Sequence, residues 1–159
     1  MKIYIIGQVG SGKTTLAKKI SQKYNIKHYE LDKIVWNDKT NTKRTNEEQL
    51  KIFNKIINKK SWIIEDVGRS IFKEAYNNCD YIYYLKLNNI SLYYRVTKRW
   101  LKQILKIEES NYHQNIKSLL EMYKWLNNGL KKESEKINLL NKTNKLKILT
   151  KKDLKKGIY

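Results

Sequence analysis

Apolar residues follow two rhythms along this chain. Short runs rich in β-branched and aromatic residues, at 2–6, 26–31, 61–66, 81–87 and 146–149, have the length and composition of buried strands. Between them lie longer stretches with apolar positions three and four apart. Leu16 and Ile20 mark a helix after the first run. Leu50, Phe53, Ile56 and Ile57 mark a second, which Thr45-Asn46-Glu47-Glu48 opens as a capping box. A short helix is expected at about 70–77. A long amphipathic one at about 90–106 carries Leu92, Val96, Trp100 and Leu101. After a polar interruption at 107–115, Leu119, Leu120, Tyr123, Trp125 and Leu126 mark a further helix. Residues 33–45 read as turn-like apart from Ile34, Val35 and Trp36. Residues 128–144 read as helix tail and surface loop, and the end as one helical turn. Strands alternating with helices argue for βαβ units, hence one three-layer α/β domain over 1–159 with five parallel strands. Ligands of such sheets sit beyond the carboxyl ends of the strands.

The first strand runs into Gly7-Gln8-Val9-Gly10-Ser11-Gly12-Lys13-Thr14-Thr15, which fits the phosphate-loop spacing G-x-x-x-x-G-K-[ST] at every fixed position. The whole chain has six glycines, and half of them fall in this loop. Glycine lets the backbone wrap closely, so that successive N–H groups and the helix N-terminus point at phosphate oxygens. Gly7, Gly10, Ser11, Gly12, Lys13, Thr14 and Thr15 are therefore the expected contacts to the phosphates of ATP. Lys13 would reach the terminal phosphates, and the Thr14 hydroxyl would hold Mg²⁺.

Composition narrows the setting. No apolar run approaches the ~20 residues of a membrane span, and the N-terminus leads straight into the loop, so no cleaved leader is expected. Cys79 stands alone, which excludes a disulfide framework, fits a reducing cytoplasm and reads as a small buried apolar side chain. The net charge of +19 raises the question of nucleic acid. However, the basic residues are thirty lysines and four arginines, in a chain rich in Asn and Ile and without proline. That is the coding signature of an AT-rich genome, and it makes much of the excess a solvated surface. Arginine is scarce by contrast, so Arg44, Arg69, Arg95 and Arg99 mark places that need a bidentate fork, of which phosphate recognition is the usual kind.

Two further groups carry chemistry. The third run ends in Glu65-Asp66, where either carboxylate could bind Mg²⁺ opposite Thr14. Arg95 and Arg99 lie four apart on one helix and share a face, suited to clamping a transferring phosphoryl group. Glu108 and Glu109 are too far along the helix for local pairing with them. His28 and His113 are isolated in sequence and read as surface or partly buried fillers.

The loop, residues 63–69 and the Arg95/Arg99 pair resemble, in order and spacing, the adenylate-kinase-like nucleotide kinases. Leu31-Asp32, Trp36, Trp62-Ile63-Ile64-Glu65, the Arg95–Arg99 helix and Trp125 look closer still like small bacterial P-loop proteins known as DNA topology modulation proteins. The resemblance implies a P-loop NTPase of nucleotide-kinase type with a short lid at about 107–115. It implies that Arg69 holds the acceptor, with Asp32 as acceptor contact or base, as in shikimate-kinase-like proteins. Trp36 and Arg44 would complete the acceptor pocket. The chain differs from adenylate kinases in having Asp66 after the strand-end carboxylate, and no arginine in the lid.

The function expected is a phosphotransferase moving the γ-phosphoryl group of ATP to a small acceptor, a nucleotide or nucleoside. The other readings are a nucleotide-regulated DNA-binding protein and a slow NTPase without acceptor. No helix-turn-helix or zinc-finger pattern supports the DNA reading. Polyanion binding driven by lysine excess alone should be salt-limited: filter binding to DNA is expected at low ionic strength and lost at ~150 mM salt, without sequence or supercoil preference.

Overall fold

Residues 1–37, 40, 42–108 and 115–157 are described in the structure, a computed structural model. Strand β1 (Lys2–Gly7) leads to α1 (Lys13–Tyr24), β2 (His28–Glu30) and α2 (Leu31–Val35). A hairpin of β3 (Trp36–Asn37) and β4 (Thr42–Lys43) follows, then α3 (Asn46–Ile57) and β5 (Trp62–Asp66). A 3-10 turn (Ser70–Phe72) and α4 (Glu74–Asn78) lead to β6 (Tyr81–Leu85), α5 (Asn89–Ile104) and α6 (Ile116–Lys131). The chain ends through α7 (Glu133–Asn141), β7 (Leu146–Leu149) and α8 (Lys151–Lys156).

The five-stranded sheet is parallel throughout, in the order β2-β5-β1-β6-β7, and helices cover both faces. Parallel strands covered on both sides read as near-continuous apolar runs, and β1 and β5 are buried along almost their whole length. Alternation divides their side chains. Tyr4, Ile6, Ile64, Ile82 and Tyr84 pack with α2, α3, α4 and Leu140 on one face. Ile3, Ile5, Ile63, Tyr83 and Leu85 meet Leu16, Ala17 and Ile20 of α1 on the other. A third cluster, Leu87, Leu92, Val96, Met122 and Leu126, joins α5 to α6.

The β3–β4 hairpin replaces part of the stretch read as turn-like, β6 ends at Leu85, and three larger changes stand beside these. The run at 26–31 contributes only three strand residues, because Leu31, Ile34 and Val35 turn inward as one buried face of α2. Their i, i+3, i+4 spacing is helical, and it prevails over the polar residues between them. Residues 133–141 form a helix rather than a surface loop, held by Leu140, which is fully buried in the first cluster. Leu101, Leu120 and Trp125 are exposed rather than core. The α5–α6 seam runs through Leu92/Val96 and Met122/Leu126, and at about 100° per residue these three lie roughly 80–160° away from it. The Thr45 capping box forms as expected, with Thr45 and Glu48 exchanging side chain-to-backbone bonds. No described helix is long and apolar enough to cross a membrane. Most of the 107–115 segment, including Glu109 and His113, lies outside the described residues.

Cys79 is 2% exposed at the end of α4, as its small apolar reading implies. Burial pushes its thiol from 9.0 up to about 11, with Lys145 opposing. A raised acid pKa contributes stability that is complete below pH 9 and lost as pH rises through about 11. Wild type and Cys79→Ala should therefore converge in urea midpoint as pH is raised from 8 to 11, wild type losing the stability. Parallel curves over that range would contradict the burial effect.

Candidate active site

The loop between β1 and α1 is shaped by close approach. A Cβ at Gly7 would meet Ser11 Oγ at 2.7 Å and the Leu85 carbonyl oxygen at 3.0 Å. Gly12 caps α1 at φ 98°, a left-handed conformation that glycine adopts without strain, and no side chain caps the helix. The first turn of α1 has no acidic residue, so its N–H groups and the positive end of its dipole are open to an anion. The Ser11 amide donates to the Gln8 carbonyl at 3.1 Å, tightening the turn. Lys13 Nζ donates to that same carbonyl at 3.0 Å, folded back over its own loop. Ser11 Oγ is buried without a hydrogen-bond partner. A concave loop of this kind, with open donors and a lysine at its rim, fits phosphate oxygens.

Alternation along β5 separates its two terminal carboxylates. Asp66, in register with Ile6, points to the Tyr4 side; Glu65, in register with Ile5, points to the α1 side. Asp66 is fully committed. Its Oδ2 accepts from the Gly68 amide at 2.8 Å, the Arg69 amide at 2.5 Å and Tyr4 Oη at 3.4 Å, and its Oδ1 accepts from Arg69 Nη1. Arg69 Nη2 donates to Asp32 Oδ1, so one guanidinium spans a buried and an exposed carboxylate. Burial works against the Arg69 charge, but Asp66 and then Asp32 outweigh it, and its pKa rises. Glu65, 5% exposed, has Oε1 3.4 Å from His28 Nε2 and leaves Oε2 without a hydrogen-bond partner. Burial lowers the Lys13 pKa, opposed by Glu65, Asp32 and Asp66 in that order, while Arg69 adds to the lowering.

The remaining arginines divide. Arg95 reaches the loop, its Nη1 donating to the Ser11 carbonyl at 3.1 Å and the Gly10 carbonyl at 3.4 Å. Arg99 lies one turn further along α5, and its Nε pairs with Glu108 Oε1 at 3.4 Å. The expectation that Glu108 is out of reach is thus corrected. α5 ends at Ile104, and Lys106 at φ 56° turns the chain back toward it. Arg44 departs from the acceptor expectation: its Nη1 donates to the carbonyls of Lys33, Ile34 and Trp36 and so caps α2. Trp36 is half-exposed in the hairpin after α2.

Several residues at this end of the sheet carried no sequence signal. Lys136 of α7 donates to the Val67 carbonyl at 2.6 Å and packs its stem over Gly68. Burial lowers its pKa, against the pull of Asp66. Tyr84 Oη donates to Glu133 Oε1 at 2.9 Å and lies 3.5 Å from Gln8 Nε2. Lys136 was hidden because the 128–144 stretch is one lysine among many until α7 is folded back across the strand ends.

The parallel sheet, the glycine loop at the carboxyl end of its central strand and the helix that follows define a P-loop NTPase of nucleotide-kinase-like fold. Residues 3–115 match the family described as AAA domain, and the chain belongs to that family. Among solved structures it is similar to shikimate kinase from Bacteroides thetaiotaomicron, with a TM-score of 0.63 and 15% identity, covering 94% of this chain and 86% of that one. It is also similar to an uncharacterized protein from Eubacterium ventriosum ATCC 27560, with a TM-score of 0.53 and 18% identity over 95% and 88% of the two chains. No curated protein matches the sequence.

Removing the Arg69 fork leaves Asp66 buried with its charge only partly met. Arg69→Met is expected to lower the unfolding free energy by about 3 kcal/mol. Arg69→Lys should lose roughly half of that, since one ammonium cannot span Asp66 and Asp32 together. Urea unfolding of both variants measures this, and equal, negligible losses would remove the bridge from the account.

Proposed function

We propose that the protein is an ATP-dependent kinase that transfers the γ-phosphoryl group to a small acceptor, a nucleotide or nucleoside. One observation carries the reading. Arg69, joined to Asp66 and Asp32, stands at the carboxyl end of β5, the strand paired with the β1 that carries the phosphate loop, and Arg95 reaches that loop from α5. Cations beyond the loop lysine on this rim support transfer to an acceptor, where a simple NTP-binding switch needs only the loop.

In this reading the amides of Gly7 to Thr15 cradle the phosphates, and Lys13 exchanges the Gln8 carbonyl for phosphate oxygens. Arg95 is already on the loop carbonyls and swings to the transferring group, with Arg99 one turn outward. These cations stabilise charge as it develops on the phosphoryl oxygens, the main catalytic lever in this chemistry. Thr14 and Glu65 would hold Mg²⁺. The fit rests on the free, buried Oε2 of Glu65, whereas the Asp66 oxygens are committed to Arg69 and the turn. When bound, Mg²⁺ would supply positive charge that offsets the negative charge of the phosphates. On the acceptor side Arg69 orients the anionic end of the substrate, beside Trp36. With a nucleoside acceptor, the exposed Asp32 carboxylate accepts a hydrogen bond from the attacking hydroxyl and takes its proton; with a nucleotide acceptor, the phosphate oxygen held by Arg69 attacks and no base is needed.

A coupled ADP-release screen over nucleoside monophosphates, nucleosides and small hydroxy acids is expected to find an accelerating acceptor. With that acceptor, Lys13→Ala and Arg95→Ala should each lower the rate by about 10²-fold or more at unchanged circular dichroism. Hydrolysis that no acceptor accelerates would leave a switch in place of a kinase. Absence of ATP and GTP binding by calorimetry with Mg²⁺ would refute both.

A further inference from the structure

On the α1 face of the sheet, beside the phosphate loop, Glu65 stands with two side chains, His28 and Glu30, that phosphoryl transfer does not require. β2 and β5 pair in parallel with His28 opposite Ile63 and Glu30 opposite Glu65. His28, Glu30 and Glu65 therefore project to one side, and one ligand atom from each lies within 4.8 Å of the other two. Two carboxylates directly opposed across adjacent strands repel each other. Lys33 meets Glu30 Oε1 at 3.1 Å from the solvent side. Inside, Glu65 is 5% exposed with Oε2 unpartnered, and His28 Nε2 also lacks a hydrogen bond.

We infer that His28, Glu30 and Glu65 form a binding site for a divalent transition cation of the zinc class, occupied independently of nucleotide. The spacing suits such an ion. Ligands about 2.1 Å from a tetrahedral centre stand about 3.4 Å from one another, and His28 Nε2 and Glu65 Oε1 are 3.4 Å apart. Glu30 closes the set by a side-chain adjustment of about an ångström. One imidazole and two carboxylates favour zinc or manganese over the all-oxygen preference of Mg²⁺ and Ca²⁺, and leave a fourth position for water. The ion neutralises the opposed carboxylates and ties the three-residue edge strand β2 to buried β5. Because α2 begins at the next residue, Leu31, it also fixes the approach of Asp32.

The test needs no nucleotide or turnover, so its outcome is separate from that of the kinase reading. Chelator-treated protein is heated with ZnCl₂, MnCl₂ or MgCl₂. Zinc at about a hundred times its Kd should raise Tm by about 5 °C or more, while equimolar Mg²⁺ leaves it unchanged. Glu30→Gln, nearly isosteric and half-buried, should keep the metal-free Tm and lose at least tenfold in zinc affinity by calorimetry. His28→Ala should lose as much and retain ATP binding. A wild-type protein indifferent to zinc would overturn the site and leave His28 and Glu65 as packed neighbours. A zinc shift of the same size in both variants would overturn it too, assigning the metal to scattered surface groups.

Discussion

The buried pair of parallel strands β1 and β5 is the constraint on which the rest of this structure depends. Both are covered on each face, so their residues alternate strictly between two cores and cannot slip in register without burying polar groups. That register brings the Gly7 end of β1 level with Glu65 and Asp66. The phosphate loop and the strand-end carboxylates consequently share one rim of the sheet.

Alternation then gives the two adjacent carboxylates different environments. Asp66 falls on the Tyr4 side and gathers the amides of its own turn and the Arg69 fork. Glu65 falls on the α1 side near Lys13 and His28 and keeps a free oxygen. A pair that is chemically equivalent in sequence becomes one structural anchor and one available ligand. The division costs no extra residue, since a strand sends neighbours to opposite faces.

The scarce arginines show a similar sorting by position. Arg69 and Arg95 bind carboxylates and loop carbonyls at the rim, Arg99 pairs with Glu108, and Arg44 closes the end of α2. Of the four, Arg69 spreads two nitrogens over two carboxylates, whereas Arg44 and Arg95 donate through Nη1 and Arg99 pairs through Nε, so a guanidinium serves helix and loop carbonyls as well as forked anions. Lysine abundance, by contrast, concealed Lys136, one of thirty lysines in the chain.

By itself the sequence determined the strand and helix alternation, the phosphate loop and the capping box of α3. Each of these depends on residues a few positions apart, so their spacing carries the information. Tertiary structure alone decided which way Glu65 and Asp66 point, that Arg69 joins Asp66 to Asp32, and that Arg44 caps a helix. It also decided that α7 returns to the strand ends and that His28 and Glu30 meet Glu65. These depend on strand register and on helix docking between residues up to about seventy positions apart. Such contacts arise from the burial of whole faces, which no local pattern of residues records.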